Sequence, residues 1–161
     1  MGRSGIEIVG SAKDEIVNML KQAYADEMLA FHYYWYTSIF MQGLGFVTIT
    51  NKFKEGAMEE LKHAELLADR LNQLGEMTFS NPAEWVKNSH FADVDPSEHL
   101  TLKSAVEKAI EIEGKAIKHY NELVKKSKDV DFVTFELATD ILADEVKEEQ
   151  DFEDILTKLE I

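Results

Sequence analysis

The run Glu59-Glu60-Leu61-Lys62-His63-Ala64, inside the longer stretch from Lys54 to Leu74, decides how the rest of the chain reads. At helical spacing Phe53, Ala57, Ala64, Leu67, Leu71 and Leu74 form one apolar face, and Glu60 falls in the middle of it. His63 stands three residues on, so carboxylate and imidazole project to the same side, one turn apart. A carboxylate on a buried helix face is costly unless it is paired, protonated or bound to a metal. Glu-x-x-His directed into a helical bundle is the ligand unit of carboxylate-bridged di-metal sites. The spacing alone occurs by chance in many helices, so the reading turns on whether other helices offer matching residues.

Three of them do. The first long helix, expected to start at Ser11 with Asp14 completing a capping box, has the face Ile16, Leu20, Ala23, Tyr24, Ala30, Phe31, Tyr34 and Ser38, and Glu27 lies inside it. Tyr34 follows two turns later, in reach of a metal-bound carboxylate as hydrogen-bond donor or electron donor; most buried tyrosines only cap a core polar group. The third long helix is expected to open at Asp95-Pro96-Ser97-Glu98, a cap followed by proline at the first position. Glu113 is the one charge in its stripe of Leu102, Val106, Ala109, Ile110, Ala116, Ile117, Tyr120 and Val124, whereas Glu111 groups with Glu107, Lys108, Lys115 and Lys118 on a solvated face. The fourth, expected from about Asp131 to the end of the chain, carries Glu145 among Phe135, Ala138, Ile141, Leu142, Phe152, Leu156 and Leu159, with Glu148 at i+3 and Glu149 at i+4. His32 and His119 match none of these stripes and read as surface or solvated residues.

The connections complete the outline. Gly43-Leu44-Gly45 is expected to end the first long helix in a short turn, making the second, from about Val47 to Leu74, its antiparallel neighbour. From Gly75 to Asp95 runs the one long irregular connection, containing a short helix with Asn81 as cap and Pro82 at its first position. That length can carry the chain from one end of a bundle to the other. The expected architecture is an all-α antiparallel four-helix bundle with a long crossover between the second and third long helices, formed by residues 11–161 after an N-terminal extension of residues 1–10. The aromatic run Phe31-His32-Tyr33-Tyr34-Trp35-Tyr36 covers all sides of its helix, so some rings are expected to pack on another subunit.

Composition sets outer bounds. A chain of 161 residues suits one domain with a sizeable core. It has no cysteine, which excludes disulfides and thiolate metal sites. The first residues show no secretory core and no myristoylation pattern, and no apolar run approaches membrane length, so a soluble cytoplasmic protein is expected. A formal charge of −14 argues against a nucleic-acid backbone as partner and is compatible with attracting cations.

Four buried unpaired carboxylates would unfold a domain whose net stability is about 5–15 kcal/mol. Metal ions bridging them remove that penalty. Hard oxygen ligands with one imidazole favour iron or manganese. Two such ions can deliver two electrons together to dioxygen or peroxide.

The chain also resembles the ferritin-like superfamily, in its bacterioferritin and Dps-like branch. The resemblance rests on Asp26-Glu27 with Tyr34, on Met58-Glu59-Glu60-Leu61-Lys62-His63-Ala64-Glu65, on Ile112-Glu113-Gly114, and on Ile141-Leu142-Ala143-Asp144-Glu145-Val146-Lys147-Glu148. It implies a hollow homo-oligomeric shell that oxidises Fe(II) with O2 or H2O2, stores the ferric product and limits oxidative stress. Glu27, Glu60, His63, Glu113, Glu145 and Glu148 would ligate two iron ions per subunit, manganese being the other candidate, with Glu60 and Glu145 bridging. Bacterioferritins have His at position 148 and a haem-ligating Met where this chain has Leu61, so a re-tuned second position and no haem are expected. The chain ends with its fourth long helix, which suits a twelve-subunit shell over a twenty-four-subunit one. Typical Dps proteins place the metal site between subunits, and some carry basic DNA-binding tails; here the site reads as intrasubunit and there is no such tail. Competing readings are a small rubrerythrin-like oxidase or peroxidase that stores no iron, and a bundle stabilised by a redox-inert ion.

Overall fold

The computed structural model describes residues 3–41 and 46–159, with the side chain of Phe46 left aside. Six α-helices lie in that span: α1 Arg3–Glu7, α2 Lys13–Phe40, α3 Phe46–Gln73, α4 Pro82–Asn88, α5 Leu102–Ser127 and α6 Phe132–Leu159. The four long ones form a bundle, with α2 packed along α3 and α5 along α6. Pairs between helix ends give the directions. Lys13 at the start of α2 meets Glu76 just past α3, and Lys126 near the end of α5 meets Glu15 near the start of α2. Lys52 early in α3 meets Asp151 late in α6. Sequential neighbours therefore run antiparallel, while α3 and α5, joined by the crossover, run the same way.

The interior is the apolar stripe of each long helix. Leu20, Ala23, Phe53, Leu67, Leu71, Ala109, Leu123, Ala138 and Phe152 are fully buried. Each fully buried large side chain contributes about 1.5–3 kcal/mol relative to exposure, so this core is what holds the helices in register.

Local chemistry explains most boundaries. α3 ends in a Schellman motif: Gly75, at φ 79°, donates to the Asn72 carbonyl, and the Glu76 amide donates to the Leu71 carbonyl. Asn81 caps α4 by accepting from the Ala83 amide. At α6, buried Asp131 accepts from the Thr134 amide, and the Arg70 guanidinium at the end of α3 donates to both its oxygens at 2.8 Å.

Three expectations require correction. The Ser11–Asp14 capping box does not form: Gly10, at φ 57°, opens a 3-10 turn over Gly10–Ala12, and α2 begins at Lys13 with no side-chain cap. Asp95 does cap, but only a 3-10 turn, Pro96–Glu98. His99 leaves helical geometry at φ −124°, ψ 52°, so α5 starts at Leu102 under a second cap, Thr101. His119 is buried rather than solvated, its Nε2 donating to the Met19 carbonyl of α2. The expected turn at Gly43-Leu44-Gly45 lies outside the described residues.

Candidate metal centre

Each long helix delivers its in-facing carboxylate to the same level of the bundle. Glu27 (α2), Glu60 and His63 (α3), Glu113 (α5), and Glu145 and Glu148 (α6) are all buried. They converge as two overlapping groups. Ligand atoms of Glu27, Glu60, His63 and Glu145 lie within 4.8 Å of one another, as do those of Glu60, Glu113 and Glu148. Glu60 belongs to both groups. Glu145, expected to bridge as well, belongs to the first and stands against Glu113. Glu111 is exposed and paired with Lys108 and Lys115, so α5 presents Glu113 inward. Glu148 is buried, whereas Glu149 is half-buried, its Oε1 lying over Gly114.

His63 is held with one nitrogen in and one out. Nδ1 lies 3.0 Å from Glu145 Oε1, 3.3 Å from Glu60 Oε2 and 4.0 Å from Glu27 Oε2. Nε2 lies 3.4 Å from Asp144 Oδ2, on the outer side of α6. A carboxylate on the outer nitrogen fixes the tautomer that leaves Nδ1 bare, as in carboxylate–histidine metal sites. Asp144 was legible only as part of an acidic helix surface, and its role depends on a neighbour far away in sequence.

Two tyrosines orient the outer carboxylates. Tyr34 of α2 donates to Glu113 Oε1 of α5, and Tyr120 of α5 donates to Glu27 Oε1 of α2. Tyr120 reads as plain core in the sequence. The signal was nevertheless present, because each tyrosine follows its own helix's glutamate by the same seven residues. The structure crosses the two units over.

Electrostatically the cluster is under strong mutual repulsion. Burial, followed by the charges of Glu145, Glu27 and Glu113, holds the Glu60 carboxyl well above its ordinary range. Glu113 and Glu145 are raised by burial and by neighbouring carboxylates. Glu148 is pushed up to about 9 by burial and by Glu59 and Glu113, against the opposing charge of Lys52, 3.5 Å away. Glu27 is raised by burial, with His63 and Tyr120 partly offsetting it. Polar atoms in the cluster also lack partners: Glu60 Oε2, His63 Nδ1, Glu113 Oε2, Glu145 Oε1 and Glu148 Oε2 are buried without a hydrogen bond.

Buried polar groups are almost always satisfied. Here close approach without hydrogen-bond alignment, at a point shared by four helices, fits cations seated among the oxygens. Five carboxylates and one imidazole are a hard donor set, suited to iron or manganese and poorly suited to copper. Beside the cluster, a surface cavity of about 630 Å3 between α3 and α6 is lined by Lys52, Glu55, Glu59, Lys147 and Asp151. Lys52 stands between that cavity and Glu148, paired with Asp151 at 2.9 Å.

A family model for the ferritin-like domain matches residues 17–161. In sequence the chain is 26% identical over 155 residues to the DNA protection during starvation protein of Pyrococcus furiosus, covering 96% of this chain and 81% of that one. Among solved structures it is similar to the bacterioferritin-related protein of Bacteroides fragilis, described as a dodecameric thioferritin. The TM-score is 0.93 at 27% identity, over 98% of this chain and 95% of that one. Dps from Thermosynechococcus elongatus shares the fold, with a TM-score of 0.85 at 20% identity over 92% and 94% of the two chains.

Proposed function

Because the chain belongs to the ferritin-like domain family, we propose that it is a ferroxidase and iron-storage protein working through an intrasubunit di-iron site. Fe(II) is the substrate. Glu27, Glu60, His63 and Glu145 would hold one ion, and Glu60, Glu113 and Glu148 the other. The observation that carries this reading is the set of buried, unpartnered ligand atoms shared by four helices. Two Fe(II) held together supply two electrons, enough to reduce one H2O2 with two protons to two water molecules.

The chain's own groups set the conditions for that chemistry. The carboxyls hold protons when no cation is present and release them as Fe(II) enters, so uptake is coupled to proton loss. Asp144 and the two tyrosines hold His63, Glu113 and Glu27 in ligating orientation. Tyr34, whose hydroxyl donates to Glu113, is also placed to act as an electron donor to the oxidant. Lys52 already pairs with Asp151 at 2.9 Å, so its charge stays compensated if Glu148 turns to an arriving cation.

The likeness to a dodecameric relative supports a homo-oligomeric shell of twelve chains in which ferric product collects. Protection of DNA, the role in the name of the Pyrococcus furiosus relative, would come from removing Fe(II) and oxidant, because a net charge of −14 disfavours contact with phosphates. Rapid mixing of metal-free protein with Fe(II) and then O2 or H2O2 tests the proposal. Ferric absorbance should rise within the mixing experiment and particles should then take up many irons. Absence of catalysed oxidation would overturn it.

A further inference from the structure

A second titratable cluster lies outside the bundle core. Asp26 of α2, His90 of the crossover and His119 of α5 present ligand atoms within 4.8 Å of one another. Asp26 Oδ1 accepts from Ser89 Oγ at 2.6 Å and from the His90 amide at 2.7 Å. Its Oδ2 meets His90 Nδ1 at 2.7 Å. The Asp26–His90 pair alone reads as a tether holding the crossover against α2. It does not account for His119, which is buried beside it with ring centroids 5.2 Å apart.

His119 is oriented like a ligand. Its Nε2 faces the Met19 carbonyl at 3.0 Å, and since a carbonyl only accepts, Nε2 carries the proton. In the neutral ring this tautomer leaves the lone pair on Nδ1. A backbone carbonyl fixing one nitrogen so that the other can bind is the usual support of a metal-bound histidine. Ser89 and the His90 amide support the Asp26 carboxylate in the same way. There is also a path from solvent: His90 and His119 line a surface cavity of about 370 Å3. The nearby Lys115 is paired with Glu111, which reduces its repulsion of a cation.

We propose that Asp26, His90 and His119 form a third, outer binding site for a divalent transition-metal ion. Two imidazoles and one carboxylate leave positions open for water and suit Fe(II), Zn(II) or Co(II) over Mg(II) or Ca(II). The site differs in kind from the inner one, where oxygens dominate. It stands one residue from it on two helices, since Asp26 precedes Glu27 and His119 precedes Tyr120.

Equilibrium dialysis of the full-length assembled protein against Co(II), with metal counted per chain and visible absorption recorded, tests this independently of the inner site. The Glu60→Gln/Glu145→Gln protein, stripped of two inner ligands, should keep one Co(II) per chain, seen as visible absorption of the bound ion. Adding His90→Ala should abolish that ion. In the otherwise unchanged chain His90→Ala should remove one ion, whatever the number bound inside. If the loop variant fails to assemble, His90→Gln keeps a donor for Asp26 and should lose the ion equally. No Co(II) on the Glu60→Gln/Glu145→Gln protein, or binding indifferent to His90, would overturn the site.

Discussion

At the scale of single residues, the metal centre is marked by buried carboxylate oxygens that have no hydrogen-bond partner. Glu60 is the most exposed to this logic because it belongs to both ligand groups. Glu60→Gln should abolish rapid Fe(II) oxidation in a stopped-flow assay. The same change should raise the metal-free protein's melting temperature at pH 8, since a buried glutamine, unlike Glu60, does not have to take up a proton on folding. Glu111→Ala, which breaks only exposed pairs, should alter stability by less than about 0.5 kcal/mol and leave oxidation unchanged. The crossed tyrosines give a second prediction. Tyr120→Phe and Tyr34→Phe should each weaken metal binding by about tenfold to a hundredfold, the cost of losing a group that orients a ligand, as read by competition with a chelator. Equal affinities in wild type and both variants would remove the tyrosines from the site. At this scale the sequence was generous: Glu27, Glu60, Glu113 and Glu145 were each visible as a polar break in an apolar stripe, and His63 and Glu148 stood at i+3 from two of them, with Glu149 as the alternative to Glu148. Asp144 and His119 were not, because each sits off its stripe and is given its partner by another helix.

At the scale of elements, the ends of helices were the hardest to read. Ser11 and Asp95 both carry cap chemistry, yet α2 and α5 start later, where Gly10 and His99 let the backbone leave the helix. Cap residues mark where a helix can start, and the surrounding packing selects among them. Asp131 illustrates the opposite case. Its carboxylate caps α6 and also receives Arg70 from the end of α3, so one buried ion pair fastens two helix ends. Burial alone would raise the Asp131 carboxyl, but Thr134 and Arg70 hold it below its ordinary range. Arg70→Ala should therefore destabilise the fold by about 3–5 kcal/mol in chemical denaturation, since it strands a buried carboxylate. A loss under about 1 kcal/mol would mean that water replaces the guanidinium at no great cost.

At the scale of the whole molecule, the clustered buried carboxylates make stability depend on pH in a direction opposite to that of most ion-paired proteins. In the unfolded chain these carboxyls ionise near the ordinary value of 4.5, whereas folded Glu148 holds its proton to about 9 and Glu60, Glu113 and Glu145 are raised well above the ordinary range. Between those limits the folded state binds more protons than the unfolded state. Stability of the metal-free protein is thus fullest below about pH 4.5 as far as these groups go, and falls as pH rises, by at most about 1.4 kcal/mol per unit for each group. Melting curves should move down from pH 5.5 to pH 8.5, and bound divalent ions should flatten the trend by taking the protons' place. A rising or flat curve for metal-free protein would contradict the electrostatics. Exposed Trp35, Ile39 and Phe40 on α2 suit contacts between chains, and twelve chains of 18.4 kDa should sediment at about 220 kDa. The bundle itself was legible because four amphipathic stripes and one long crossover allow few other arrangements. Assembly was less so, since a surface aromatic looks the same whichever chain covers it.

The most direct test of the central claim is anomalous diffraction at the iron edge from crystals of the assembled protein loaded with Fe(II) under anaerobic conditions. Two peaks per chain are expected inside the bundle, one among Glu27, Glu60, His63 and Glu145 and the other among Glu60, Glu113 and Glu148. Crystals with no iron density between the four helices would contradict it, and would mean that protons alone reconcile these carboxylates with their burial.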